Sequence, residues 1–230
     1  MVEKTVKQKG ITVVEIVVVI AIIALLLGFG TPAFFSWLGQ QKVENIAIQL
    51  YTDIKWAQSE AQKQGSYGLD NTDLTDVKTL KRKVFVDLNT TNSSYSIWRW
   101  QDDDEDGVAD NGEFSPDFGY QVNSDGALKT VTDMKGVKFD LLSGINKIAC
   151  SNNAGTPSGA IVNINDCPNT TTNLSGKCII FNSIGFYEGA DNAAIYLSNG
   201  KHAYAISLNV TGTLQLCRWD EDAGEWKRLR

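Results

Sequence analysis

From Ile11 to Gly30 the chain reads ITVVEIVVVIAIIALLLGFG, an apolar run interrupted only by Thr12 and Glu15. A helix of about 20 residues rising ~1.5 Å per residue matches the hydrocarbon core of a bilayer. The run therefore predicts a membrane-crossing helix. The preceding residues, MVEKTVKQKG, carry Lys4, Lys7 and Lys9. Lysines ahead of an apolar run, and none within it, place the N-terminus on the cytoplasmic side. A secretory signal has a shorter apolar region followed by a small-residue cleavage site, and this run fits neither feature. A plain signal anchor is the simpler alternative. Glu15 stands against it, because a carboxylate costs roughly 2.5 kcal/mol or more at the centre of a membrane helix, and less near its end.

The arrangement Gly10-Ile11-Thr12-Val13-Val14-Glu15 ahead of apolar residues resembles the class III signal of type IV pilins and pseudopilins. That resemblance implies cleavage by a prepilin peptidase between Gly10 and Ile11, followed by N-methylation of Ile11. It makes Glu15 the fifth residue of the mature chain and Pro32 the twenty-second, where the family commonly has a helix-breaking proline. Ile11 departs from the usual phenylalanine or methionine. In a filament Glu15 would pair with the ammonium at Ile11 of a neighbouring subunit. Removing one partner of a buried pair strands a charge, so such a pair selects register more than it adds stability. The implied partners are other major and minor pilins or pseudopilins, the prepilin peptidase, the membrane and an inner-membrane assembly platform. The implied location is the bacterial inner membrane, single-pass, and then a periplasmic or extracellular filament. Cleavage would remove a net charge of +2, taking the formal charge from −6 to −8.

The chain divides in sequence into a leader (1–10), a transmembrane and filament-core helix (11–31), an amphipathic helix (32–65) and a β-rich domain (66–230). Gly28, Gly30 and Pro32 predict a kink or a locally melted stretch. Beyond them Val43, Ile46, Ala47, Leu50, Ile54, Ala57 and Ala61 recur at helical spacing on one face. Lys42, Glu44, Gln49, Lys55, Gln58 and Gln62 lie largely elsewhere. Nine short segments rich in β-branched and aromatic residues follow, divided by Gly, Asn, Asp and Ser turns: 84–88, 95–100, 126–134, 137–142, 160–164, 178–182, 193–198, 203–209 and 213–219. The predicted class is α+β: a long N-terminal helical spine, half membrane and half amphipathic, packed on a C-terminal antiparallel two-sheet β domain. The helix segment AQSEAQKQG, the F-N-S-x-G turn (Phe181–Gly185) and the closing I-S-L-x-x-x-G-x-L hairpin (Ile206–Leu214) resemble the GspH/FimT group of minor pilins and pseudopilins.

Cys150, Cys167, Cys178 and Cys217 form no C-x-x-C pair, and the only histidine is His202. This argues against zinc. In an exported chain an even cysteine count points to two disulfides, with all three pairings open. Residues 102–113, DDDEDGVADNGE, match a calcium loop. Asp102, Asp104, Asp106, Asp110 and Glu113 would supply carboxylates, Val108 a backbone carbonyl, and Gly107 the sharp turn. The preceding segment is strand-like, so a structural Ca2+ site is expected rather than an EF-hand pair; a solvated acidic turn is the bland alternative.

No nucleophile and base come together in the sequence, and no G-x-S-x-G or phosphate loop occurs, so an enzyme is not expected. Arg218, Lys227, Arg228 and Arg230, with Trp219 and Trp226, are candidate DNA contacts. Asp220, Glu221, Asp222 and Glu225 offset them, and an exposed terminal tail is the simpler reading. The function expected is that of a minor pilin-like subunit in a priming or tip complex of a type IV pilus. The alternatives are a type II secretion minor pseudopilin and a DNA receptor for natural transformation.

Overall fold

The computed structural model describes residues 12–67, 82–101, 127–151, 155, 157–167, 176–189 and 191–230; for Phe29, Gly30, Ala33, residues 64–67, Arg82, Trp100 and Gln101 it describes the backbone alone. Helix α1 runs from Val13 to Tyr67, 55 residues, with Pro32 inside it. The locally melted stretch expected at Gly28–Pro32 is absent. Proline there forfeits one backbone hydrogen bond, and the flanking turns keep the helical path. The chain forms two compact units, Met1–Gly39 and Gln40–Arg230, so the division falls at Gly39 rather than at Pro32. The reason is local: Val43 is the first helical side chain to be fully buried.

In the second unit the expected apolar stripe is the buried one. Val43, Ala47, Leu50, Ile54, Ala57 and Ala61 are wholly inaccessible, and Ile46 nearly so. They pack on two antiparallel sheets. The first has the order β3-β2-β1-β6, built from β1 (Arg82–Asn89), β2 (Ser94–Gln101), β3 (Lys129–Val131) and β6 (Lys177–Phe181). The second runs β10-β9-β8-β7, from β7 (Ala193–Ser198), β8 (Ala203–Leu208), β9 (Leu214–Asp220) and β10 (Glu225–Arg228). Two short strands share the far edge of β7: β4 (Lys138–Phe139) pairs with Leu197 and Ser198, and β5 (Ile161–Val162) with Ala194 and Ile195.

Side chains alternate across a strand, and both faces of each sheet are used. Val84, Val86, Leu88 and Ile97 of the first sheet join Ile195, Leu197, Ile206 and Leu216 of the second around α1 in one core. The opposite face of the second sheet carries Tyr196, Ala205, Cys217 and Trp226, closed over by Ile145 and Ala149. The Ala149 N–H donates to the Tyr196 hydroxyl at 2.9 Å, and the Trp226 indole N–H to the Lys147 carbonyl at 3.1 Å. The fold is thus α+β with two antiparallel sheets. All nine expected segments contain a strand. A tenth, β10, occupies what the sequence presents as a terminal tail, and its pairing of Trp226 with Trp219 explains why that segment is ordered.

Of the three possible pairings the chain adopts Cys150–Cys217 and Cys167–Cys178, with Cα atoms 5.4 and 4.7 Å apart. The first ties the covering segment to β9. The second joins the outer face of the first sheet to the loop ahead of β6.

Candidate assembly surface on the N-terminal helix

Helix α1 starts with a reciprocal cap. The Thr12 backbone N–H and hydroxyl donate to Glu15 Oε2 at 2.8 and 2.9 Å, and the Glu15 N–H donates back to Thr12 Oγ1 at 3.3 Å. This is a capping box, in which a T-x-x-E spacing satisfies helix-start donors that would otherwise have no partner. Glu15 is therefore a helix cap within its own chain, a role that the T-x-x-E spacing encodes. Gly10 and Ile11 lie outside the described residues.

Above the cap, every large apolar side chain from Val13 to Leu27 is at least 49 % exposed. Valine, isoleucine and leucine occupy all sides of the helix, so no single stripe separates core from solvent. Phe34, Phe35 and Trp37 continue this exposure. Among the described residues no helix is long and apolar enough to cross a membrane. The run in the sequence extends further, from Ile11 and through Phe29, both outside the residues whose surroundings are described.

The domain half of α1 is held by polar contacts as well as by its apolar face. Glu60, 3 % exposed, meets Arg99 of β2 at 2.7 Å, and Arg99 is 7 % exposed. Asp53 accepts from the Tyr95 hydroxyl and from the Lys129 ammonium, each at 2.6 Å. Burial, and then Asp53, push the Tyr95 phenol well above its ordinary range. Tyr204 donates to Glu44 at 3.0 Å, and burial followed by that carboxylate pushes its pKa up to about 12.

The Gln58 amide donates to the carbonyls of Gly185 and Gly212, at 2.8 and 3.0 Å, and Gln62 donates to the Ile184 carbonyl at 3.2 Å. Gly185 and Gly212 have φ of 80° and 79°, a left-handed backbone that glycine adopts without steric cost. A Cβ on Gly212 would run into Gln58 and lie 2.5 Å from the Gly185 carbonyl oxygen. The two glycines belong to the F-N-S-x-G and I-S-L-x-x-x-G-x-L motifs, so both motifs serve to seat a loop on α1.

The remaining candidates are dispersed. Asp102, Asp104, Asp106, Val108, Asp110 and Glu113 lie outside the described residues; they belong to the connection between β2 and β3, which are paired neighbours. Among the described residues, one group has metal-ligand proximity: Asp87 with Cys167 and Cys178. Its two sulfurs are bonded to each other, which removes the thiolates that would bind a metal. Arg218 and Lys227 face each other across β9 and β10. Lys227 forms an ion pair with Asp220. That hydrogen bond, followed by the Ala223 N–H, holds the Asp220 carboxyl below the usual carboxylate range. Arg228 and Arg230 are exposed. A cavity of about 280 Å³ is lined by Gln40, Lys201, His202, Arg218, Asp220 and Asp222, among others. Its charge is mixed, so these residues do not make a continuous basic surface.

No family model matches the chain, and comparison with curated proteins and with solved structures returned no match.

Proposed function

We propose that this chain is a minor pilin-like structural subunit of a type IV pilus, acting in a priming or tip complex. The observation that carries the reading is the all-round exposure of apolar side chains from Val13 to Leu27. Burying one large aliphatic side chain is worth ~1.5–3 kcal/mol. A stretch of this length left in water forgoes on the order of 20 kcal/mol, so its working environment is apolar. A bilayer supplies that environment before assembly, and the helices of neighbouring subunits supply it afterwards. In this reading α1 is a spine that anchors the chain by one half and forms the core of the β domain by the other. Prepilin peptidase cleaves after Gly10, and Glu15 exchanges its intrachain cap for the N-terminal ammonium of a neighbour.

Residues 102–113 act in this account as a structural Ca2+ loop that orders the β2–β3 connection outside the cytoplasm. The role is assembly, with no catalytic residues. The ion pair between Lys227 and Asp220 weighs against DNA uptake as the main task.

The test is a count of surface filaments in cells lacking the chain, complemented by the native form or by Glu15→Ala. Loss of filaments that only the native chain restores is the expected result. Normal filament numbers without the chain overturn the pilus assignment. A secretion defect in the same cells would then point to a pseudopilus.

A further inference from the structure

Phe34, Phe35 and Trp37 form the one exposed aromatic group among the described residues of the first unit. They are 55, 68 and 54 % exposed. The Phe34 ring lies 6.1 Å from both the Phe35 and the Trp37 ring. In the second unit Tyr51 and Trp98 are 5 and 4 % exposed and sit in packed clusters, while Trp56 and Phe186, 38 and 48 % exposed, stand singly in different parts of the sequence. At 3.6 residues per turn, the three rings spread over roughly half of the helix circumference. They therefore form a partial collar rather than a stripe shaped for one partner helix.

Their height along α1 matters as much as their exposure. From Val13 to Phe34 the helix climbs about 31 Å, which is the thickness of a hydrocarbon core. After Leu38 come Gly39, Gln40, Gln41 and Lys42, so the rings stand close to where apolar sequence gives way to polar. Indole suits that boundary, with an apolar body for the acyl chains and an N–H donor for ester and phosphate oxygens.

We propose that Phe34, Phe35 and Trp37 are an interfacial anchor that binds the headgroup and glycerol-ester zone of the bilayer. The anchor sets the depth at which the first unit of the unassembled chain stands in the bilayer. This rests on the membrane insertion argued above.

The test uses the full chain reconstituted in phosphatidylethanolamine–phosphatidylglycerol vesicles. The lipids are brominated either near the headgroup end or near the methyl end of the acyl chains. Subtracting the Trp37→Phe variant isolates quenching of Trp37 from that of the tryptophans in the second unit. The expected result is stronger quenching by the shallow label than by the deep one. Stronger quenching by the deep label overturns the anchor. So does an absence of quenching in a chain that stays with the vesicles through an alkaline carbonate wash, because the rings would then face protein. A chain that washes off overturns the insertion reading itself, and the anchor falls with it.

Discussion

Replacing Glu60 by glutamine keeps the side-chain volume and removes the charge that faces Arg99. The two groups are 2.7 Å apart and 3 and 7 % exposed, so water cannot take over the solvation of the guanidinium. Breaking a buried ion pair by removing one partner costs about 3–5 kcal/mol, against ~0–1 kcal/mol for an exposed pair. Lys63 touches Glu60 from the solvent side at 3.4 Å but is 53 % exposed, and its loss of a partner adds little. For a unit of this size 1 kcal/mol shifts the melting temperature by about 2–4 °C, so Glu60→Gln should melt roughly 10 °C below the native chain. The assay is thermal unfolding of the full chain in detergent, followed by near-ultraviolet circular dichroism. Adding Arg99→Met should recover much of the loss, because a buried guanidinium facing a neutral amide no longer has to be accommodated. A drop of less than about 1 kcal/mol for Glu60→Gln would show that the pair is screened like a surface contact, and the argument from burial would fail.

Gly212→Ala combines a strained left-handed backbone, ~1–2 kcal/mol, with displacement of Gln58 from two carbonyls at ~1 kcal/mol each. A total loss of about 3–4 kcal/mol should be seen by the same melting assay, and a neutral effect would mean the loop does not rest on α1. Tyr204, with its pKa pushed up from 10.0 to about 12, supports folding fully below pH 10. That support is lost as pH rises through 12, so stability should fall over this interval, and less so in Tyr204→Phe; ionisation of Tyr204 alongside the ordinary tyrosines, read by phenolate absorbance, would contradict it. Calorimetry on the full chain should show calcium binding that Asp104→Ala abolishes, and an unchanged heat would sink the loop assignment.

The buried face of α1 was legible because seven side chains between Val43 and Ala61 repeat at the helical period, and nothing but packing needs that period. The nine strand segments were legible for the same kind of reason, through β-branched and aromatic runs closed by turn residues. Strand β10 was not, since Glu225, Lys227 and Arg228 surround the single apolar Trp226, and its place is set by β9. Asp53 and Glu60 were also hidden. A carboxylate on a helix looks solvated until its partner is known, and Tyr95, Arg99 and Lys129 lie 42, 39 and 76 residues further on. Gln58 and Gln62 misled in the same way, reading as surface residues while they anchor two loops. On the candidate assembly surface, the apolar run, Glu15 and Pro32 were all visible in the sequence. The capping geometry was encoded in T-x-x-E, while the persistence of helix through Pro32 depends on the turns around it.

The polar grips on α1 fall at Glu44, Asp53, Gln58, Glu60 and Gln62, a stretch of about 27 Å of helix. Each reaches sideways to a strand or loop, across the helix axis. A tensile load applied along that axis would therefore meet these contacts in shear, sharing the force among them instead of peeling them open in turn. The apolar face slides only if all of them yield together. A domain gripped in this way resists extraction of its helix by mechanical parallelism, a property that no single contact possesses.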